Sequence, residues 1–325
     1  MTSPNLLDQA LVALAAGDRR TILELVRDQP GPLGAMAERL GTSHDAVSRD
    51  LSVFHDLEYE GALEQLASGY DKALLEAAGL EGGYRVLDVG CGSGSSSRSA
   101  ARAIGTGSVL GVDLSAATVR RAETLARAEG LSNVAFHQGD AATAAFDPAS
   151  FDVVISRFGA MYFGHPAHAF TNLAQALRPG GRLALAARRD AERNKCMTEV
   201  AGALAMGRTL PERPGAFGLA REAHVRSMLG EAGFVDVILE ERSEPVTFGP
   251  DAAAAYALVS TQGLARGLLG GLDVAARKTA LARLRAVLEA HETPHGVLFG
   301  STCWLVTARR PETPASPTVQ VGGPP

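Results

Sequence analysis

The sequence predicts an α/β fold with a mainly parallel sheet wound between helices, and three observations support this prediction. A short apolar run, Val86–Val89, ends at three glycines on alternate positions and is followed by a segment of helical character, Ser95–Ile104. Further apolar runs alternate with helical segments, a pattern typical of parallel strands joined by right-handed crossovers. Acidic residues follow the next two runs, where ligands of such sheets bind.

The composition indicates a globular protein with a sizeable core. The chain has 325 residues, 46% of them hydrophobic, and could hold one large or two ordinary domains. Residues 1–80 contain six Lys and Arg against thirteen Asp and Glu, a net of −7, whereas the whole chain carries −5. An acidic N-terminal region is a poor partner for phosphate backbones, which argues against nucleic acid as a partner.

The N-terminal apolar stretch Leu6–Ala16 is short, lacks a basic leader and is interrupted by Asp8 and Gln9. It therefore reads as neither a signal peptide nor a membrane span, and a cytoplasmic location is expected. The cysteines are widely separated without the spacing of metal ligands, so reduced thiols and no metal site are expected. They are Cys91, Cys196 and Cys303.

Residues 1–56 are predicted to form a small all-α segment. Ala37, Gly41 and Val47 lie where a helix-turn-helix needs a small contact residue, a sharp turn and a core residue. The segment resembles the helix-turn-helix of ArsR-type repressors, but Asp45 and Asp50 would repel phosphates and no β-hairpin wing follows. Two interpretations stay open: a DNA-binding element, or a helical cap that packs on the next domain or forms a homodimer.

The first strand and its glycine turn predict a binding site for a nucleotide-type ligand. Gly90, Gly92 and Gly94 let the backbone approach a ligand, and the free amides of the following helix point toward it. Asp88 would repel a pyrophosphate and attract a cationic amino group. A dinucleotide fingerprint would also place its third glycine at Ser95, one residue later than here. These features favour S-adenosylmethionine over NAD as the cofactor.

Acidic residues after the second and third strands complete the predicted cofactor site. The second strand ends at Asp113, nineteen residues beyond the last glycine, where a carboxylate can accept two ribose hydroxyls. The third strand leads to Asp140, which could accept the adenine amino group. The predicted apolar plates against the adenine ring are Leu114 and Ala141.

Taken together, these landmarks resemble the class I S-adenosylmethionine-dependent methyltransferases over roughly Leu57–Arg310. The resemblance implies a Rossmann-like seven-stranded sheet whose seventh strand is antiparallel, and methyl transfer as the activity. The predicted strands are Val86–Val89, Ser108–Val112, Val134–His137, Phe151–Ser156, Arg182–Ala187, Val235–Glu240 and Thr302–Ala308. The predicted helices between the early strands are Ser95–Ile104, Ala116–Glu129 and Pro166–Leu177.

The loop after strand four resembles the Ser-Arg-Phe-Gly loop of methyltransferases related to the ubiquinone/menaquinone-biosynthesis type. Its position implies contact with the cofactor and the acceptor, and it places Ser156 at the strand-end rim where the cofactor is expected to bind. Arg157 could orient a carboxylate or pair with one of the protein's own. Tyr162 could line an acceptor pocket or the core. His165 is the candidate general base, or alternatively a cap of the next helix.

The amphipathic stretch Leu57–Leu80 leads into strand one. In the family it resembles, this approach closes over the methionine end of the cofactor, so Tyr59 or Tyr70 could hydrogen-bond the cofactor's carboxylate. Either tyrosine could equally be a core residue.

Two helical inserts, residues 190–232 and 251–290, are predicted to stand above the strand-end rim and to form a substrate roof. They belong to a domain covering 57–310. The tail, residues 311–325, is rich in Pro, Thr, Ser and Gly and is expected to be disordered, because it has little to bury.

Two functional hypotheses follow. The first is a methyltransferase acting on a small, largely apolar acceptor, since the roof is rich in Leu and Ala with few clustered basic residues. The alternative is a transcriptional regulator that responds to S-adenosylmethionine or a metabolite and binds DNA through the helix-turn-helix. Methylation of protein or RNA would need an extended charged groove, which the sequence does not show. The acceptor atom stays open among O, N and C.

Overall fold

The computed structural model describes residues 69–208, 217–260 and 263–312. The predicted helix-turn-helix segment, Tyr59 and residues 313–325 of the tail lie outside the described residues. Within the described ranges, no helix has the length and hydropathy that a membrane span requires. The same ranges contain no group of three or more His, Cys, Asp or Glu side chains placed to hold a metal ion.

A mixed β-sheet forms the centre of the domain, with strand order β3-β2-β1-β4-β5-β8-β6. Strands β1 to β5 pair in parallel, whereas β8 is antiparallel to both β5 and β6. The strands are β1 Arg85–Val89, β2 Ser108–Asp113, β3 Val134–Gln138, β4 Phe151–Arg157, β5 Leu177–Arg188, β6 Val235–Thr247, β7 Glu292–Thr293 and β8 Gly296–Arg309. The short β7 pairs only with the start of β8. The predicted seven-stranded sheet with one antiparallel strand is confirmed.

Helices cover both faces of this sheet. They are α1 Gly69–Ala78, α2 Ser95–Ile104, α3 Ala116–Ala128, α4 Pro166–Ala176, α5 Lys195–Ala205, α6 Glu222–Glu231, α7 Ala252–Ser260, α8 Gly263–Leu269 and α9 Val274–Ala290. Val86 of β1 packs in a cluster with Ile104 of α2, whereas Leu87 packs in a cluster with Phe170 of α4. Because successive side chains of a strand point to opposite faces, a strand covered on both faces needs a continuous apolar run.

Strands β5, β6 and β8 are longer than the sequence predicts. β5 begins at Leu177, which pairs with Phe151 across an irregularity of the ladder. β6 continues to Thr247 because its backbone pairs with β8 as far as Leu298. The extension of β6 carries mostly exposed, polar or charged side chains, so its sequence lacks the apolar alternation that marks a half-buried strand.

Most of the two helical inserts stands at the rim where the parallel strands end, whereas α6, at the end of the first insert, packs with α4 in the core of the sheet. Arg188, the last residue of β5, pairs with Cys303, so residues 296–302 of β8 project beyond that rim. The helices α5, α7, α8 and α9 pack around this projection and the end of β6 in a second hydrophobic core. Its members include Leu204, Val246, Val259, Leu268, Leu284, Val297 and Phe299. Whether the inserts cover a substrate stays a prediction.

Candidate functional site

A cavity of about 380 Å³ opens at the carboxyl ends of the parallel strands. The glycine turn after β1, the residues after β2 and β3, and the loop after β4 form its walls, as expected for ligand sites of wound sheets. The predicted site residues on these walls are Gly90, Gly92, Asp113, Leu114, Asp140, Ala141, Arg157 and Tyr162. The predicted residues Asp88, Gly94, Ser156, Tyr70 and His165 are not among them.

A larger cavity, of about 560 Å³, lies between α1 and the outer strands β6 and β8. Charged side chains such as Lys72, Glu240 and Arg309 line it, and among its described lining residues there is no glycine turn and no carboxyl end of a parallel strand. The smaller cavity is therefore the candidate functional site, because it combines exposed backbone amides with apolar and charged side chains.

The glycine turn and the loop after β4 press against each other at backbone distance. A Cβ atom on Gly90 would lie 2.7 Å from the Cα of Gly159, and one on Gly159 would lie 2.6 Å from the carbonyl oxygen of Val89. Ser156 holds the contact from behind: its hydroxyl donates to the Val89 carbonyl at 2.6 Å and accepts from the Ala160 amide at 2.9 Å. Ser156 thus braces the cavity wall without lining the cavity, and its predicted contact with the cofactor stays a prediction.

Gly94 has a packing role. A Cβ atom there would lie 2.6 Å from the ring of Phe136 on β3 and 3.0 Å from Ala122 on α3. Gly111 of β2 faces the same ring, at 2.6 Å. Gly94, at φ 81°, therefore makes room for Phe136 and does not line the cavity as predicted.

Asp113 is held at the end of β2 by three hydrogen bonds. Its Oδ2 accepts from the Gly92 amide at 3.0 Å, and its Oδ1 accepts from the Ser115 amide at 2.9 Å and the Thr118 hydroxyl at 3.3 Å. An ionised carboxylate has about four acceptor sites, so capacity for a further donor remains on Oδ2. The carboxylate is oriented before any ligand binds, and it fixes the glycine turn as well.

Leu114 leaves a large apolar side chain in solvent beside the cavity. It is 70% exposed, while Ala141 is buried in the facing wall. Asp140 is exposed, and its Oδ1 accepts from the Ala142 amide at 2.9 Å, which fixes the turn after β3. This arrangement suits a flat, largely apolar ring with a polar edge.

Truncating Leu114 to alanine should weaken cofactor binding roughly 5- to 30-fold while leaving the melting temperature unchanged. The exposed side chain contributes little to folding, but burying it under a ring would gain about 1–2 kcal/mol. Titration calorimetry and thermal unfolding check the two parts. Val274, 88% exposed on α9, gives the matched control: Val274→Ala should change neither quantity. Equal affinities of Leu114→Ala and wild type would remove Leu114 from the ligand site.

Arg157 pairs with a carboxylate of the protein, one of the two roles that the sequence left open. Its Nη1 lies 3.1 Å from Oδ2 of Asp71 on α1. Asp71 also accepts from the hydroxyls of Ser95 at 3.0 Å and Ser96 at 2.8 Å. The buried Nη1 makes no hydrogen bond of good geometry, and neither does the buried hydroxyl of Ser93. Because Arg157, Ser93 and Ser96 line the cavity, this wall suits a polar, charged group of a ligand.

Asp71 was not identified from the sequence. The available signal was its place, one residue after Tyr70 on the segment expected to close over the cofactor.

Asp88 lies behind the cavity wall and not on it. Its side chain is fully buried, its Oδ2 accepts from the Ser97 hydroxyl at 2.6 Å, and its Oδ1 has no hydrogen-bond partner. Burial raises the pKa of Asp88 to about 7, against the lowering effects of Ser97 and Arg157. Asp88 therefore ties α2 to β1, and its predicted contact with a ligand amino group stays a prediction.

Tyr70 supports the cavity from outside. Its hydroxyl donates to the Ser301 carbonyl at 2.8 Å and accepts from the Glu244 amide at 3.3 Å, so it is satisfied within the protein. Its ring packs edge-on against Phe158 at 5.3 Å between centroids. Phe158 lines the cavity at φ 59°, a left-handed conformation that non-glycine residues adopt only when their surroundings enforce it. Tyr70 is part of those surroundings.

His165 is exposed at the start of α4, with its ring 6.1 Å from that of His168. It lies outside the cavity, and no histidine is present among the described residues that line it. The general-base role predicted for His165 has no support from this placement. Tyr162 does line the cavity and is 56% exposed.

Part of this chain is similar to known proteins. Residues 86–181 match the family model described as a methyltransferase domain. The ubiquinone/menaquinone biosynthesis C-methyltransferase UbiE of Pseudomonas aeruginosa (strain LESB58) is 30% identical over 154 residues, 47% of this chain and 59% of the relative. The nocamycin O-methyltransferase of Saccharothrix syringae is 36% identical over 115 residues, 35% of this chain and 41% of the relative. The aklanonic acid methyltransferase DauC of Streptomyces sp. (strain C5) is 31% identical over 135 residues, 38% of this chain and 61% of the relative.

Solved structures show the same fold. The YcgJ protein from Bacillus subtilis aligns with a TM-score of 0.53 and 18% identity, covering 76% of this chain and 100% of that one. A phosphoethanolamine N-methyltransferase 2 of Haemonchus contortus, in complex with S-adenosylhomocysteine, aligns with a TM-score of 0.50 and 19% identity, covering 78% and 57%. The chain spans two to three fifths of the length of the three sequence relatives. Together these matches show that residues 86–181 are similar to a methyltransferase domain and that the fold is that of the solved structures.

Proposed function

We propose that this chain is an S-adenosylmethionine-dependent methyltransferase that methylates a small, largely apolar metabolite. One observation carries the proposal: a single cavity brings together the glycine turn, the oriented carboxylate of Asp113 and the exposed Leu114 at the ends of β1 and β2. The relatives act, by their names, on carbon and on oxygen of small metabolites, which supports a small acceptor and leaves the acceptor atom open.

The residues present fit this cofactor part by part. Asp113 would accept from the ribose hydroxyls, while Leu114 and Ala141 would flank the adenine ring and Asp140 would accept from its amino group. The opposite wall offers the buried, unsatisfied groups of Ser93 and Arg157 to the charged methionine end. The predicted amino-group contact at Asp88 is not part of this assignment.

When bound, the cofactor would supply a methyl group on a positively charged sulfur, and the sulfur would keep the electron pair of the broken bond while the acceptor's pair forms the new one. The chain's task is to bind, to orient and to exclude water. Orientation alone can supply about 7–11 kcal/mol of such a barrier. No histidine is among the described residues that line the cavity, which agrees with catalysis mainly by positioning of the acceptor and the cofactor.

Replacing Asp113 by alanine should weaken S-adenosylmethionine binding by about 1–3 kcal/mol, roughly 5- to 150-fold, because charge-assisted hydrogen bonds are lost. Titration calorimetry with S-adenosylmethionine and S-adenosylhomocysteine measures the change. Asp147→Ala removes the same charge at an exposed position outside the cavity and should bind like wild type. Absence of heat with wild type at millimolar cofactor would overturn the proposed function, and an unchanged affinity of Asp113→Ala would show that the ribose is held elsewhere.

The regulator hypothesis receives no support, because the helix-turn-helix segment lies outside the described residues and the relatives above are methyltransferases. The predicted homodimer and cellular location stay predictions.

A further inference from the structure

Arg188 occupies the end of the cavity that lies farthest from the predicted adenosine contacts. It is the last residue of β5 and lines the cavity. In the sheet, β2 and β5 are separated by β1 and β4, so three strand spacings, roughly 14 Å, lie between Asp113 and Arg188. The proposed cofactor runs from β2 and β3 to β1 and β4, which leaves the β5 end for the acceptor.

The surroundings of Arg188 are mostly apolar. Its guanidinium lies over the ring of Phe158, 4.7 Å from the centroid, and its Nη1 is 3.8 Å from the sulfur of Met161. The nearby thiol of Cys303 is no counter-charge, because burial raises its pKa to about 12 and keeps it neutral. Burial raises the pKa of the Cys196 thiol as well.

Arg188 forms no ion pair with any carboxylate of the described residues. Its neighbours in sequence and space do: Arg157 pairs with Asp71, and Arg189 pairs with Glu241. A thioether is a weak acceptor and a ring face accepts no conventional hydrogen bond, so most of the five guanidinium donors of Arg188 are available to a ligand. A half-buried cation beside apolar walls gains most from a partner that brings a negative charge.

The charges along the cavity are also separated. Asp113 and Asp140 lie at the β2 and β3 end, whereas Arg188 lies at the β5 end and is the cation there whose charge no ion pair among the described residues offsets; the charge of Arg157 is offset by Asp71. A ligand with a cationic or neutral part at the first end and an anionic part at the second would match this arrangement.

We propose that the acceptor is an apolar organic acid whose carboxylate pairs with Arg188 while its apolar body lies against Phe158 and Tyr162. The inference rests on the proposed function and specifies its substrate class. Arg188 is then the specificity-determining residue: the planar guanidinium fork suits a carboxylate in two parallel hydrogen bonds, and the neighbouring rings suit the remainder of the molecule.

The test uses two probes of the same shape and different charge. The protein saturated with S-adenosylhomocysteine is titrated with 2-naphthoate and with 2-naphthamide. Wild type should bind the acid at least tenfold more tightly than the amide. Arg188→Met, which keeps the apolar contacts, should bind both alike, and Arg188→Lys should keep part of the preference. Arg127→Met, at an exposed position on α3, should behave like wild type.

S-adenosylhomocysteine affinity separates the failure of the inference from the failure of the proposed function. All four proteins should bind S-adenosylhomocysteine within about twofold of each other, which also shows that they fold. No binding by wild type would count against the proposed function. With normal binding, the inference is overturned if wild type binds the acid and the amide equally or binds neither, or if Arg188→Met keeps the preference.

Discussion

Gly90→Ala should destabilise the folded protein by about 2–5 kcal/mol and abolish cofactor binding. The residue has φ 67°, a conformation that costs an L-residue roughly 1–2 kcal/mol. The new Cβ would lie 2.7 Å from the Cα of Gly159, and a backbone atom cannot rotate out of the way. Overpacking of this kind costs typically about 1–3 kcal/mol, and its relief would move the glycine turn away from the loop after β4. Urea unfolding and calorimetry with S-adenosylmethionine measure both effects.

Gly130 provides the control for backbone strain alone. It has φ 69°, but a Cβ there would meet no atom within 4 Å. Gly130→Ala should therefore cost about 1–2 kcal/mol and leave cofactor affinity intact. If Gly90→Ala costs no more than Gly130→Ala, the close approach of the two loops makes no energetic contribution.

The fold was predictable because its signals are local. Glycines follow a buried strand, and an acidic residue ends the next strand. Each of these residues lies within a few positions of the feature that it marks, so the sequence predicts the strands, the turn and the edge of the sheet where the strands end. Asp113 could be assigned in this way, since a strand-end carboxylate in a parallel sheet faces the ligand side.

Burial depends on contacts that spacing does not show. Gly94 looks like a third ligand-binding glycine, but it is the partner of Phe136, which comes from another strand. Tyr70 is predicted to hydrogen-bond the carboxylate of the cofactor. In the structure its hydroxyl forms hydrogen bonds with the backbone of Ser301 and Glu244, which are more than 170 residues away in the sequence. A residue type predicts what a side chain can bind, whereas its partner is decided by packing.

Three residues of the site are not predicted from the sequence, and the reason differs from one to the next. Arg188 follows the apolar run Leu183–Ala187, so the strand-end rule that selects Asp113 also selects Arg188. Asp71 is different, because only the packing of α1 brings it to Arg157 and to the start of α2. The role of Gly159 can be recognised only from its short distance to Gly90 in the structure.

Asp88 should make the stability of the protein fall as the pH rises toward 7. In the unfolded chain its pKa is the ordinary 3.8, and burial raises the folded-state pKa to about 7. Between these values the folded protein holds one proton more than the unfolded chain, so the free energy of unfolding decreases with rising pH. Each pH unit between the two pKa values lowers the free energy of unfolding by about 1.36 kcal/mol, and the whole interval lowers it by up to about 4 kcal/mol.

Asp88→Asn isolates this effect, because the amide has the shape of the protonated acid and does not titrate. From about pH 5.5 to about pH 8, wild type should lose about 2 kcal/mol relative to Asp88→Asn in urea unfolding, since only the part of the window up to pH 7 is crossed. The window is informative: a carboxylate held ionised by Ser97 and Arg157 would have a folded-state pKa below 3.8, so it would give no slope between pH 5.5 and 8, and wild type would lose stability only below about pH 4. Parallel curves for the two proteins between pH 5.5 and 8 would contradict the prediction, because they would show that Asp88 is ionised in the folded protein throughout this range.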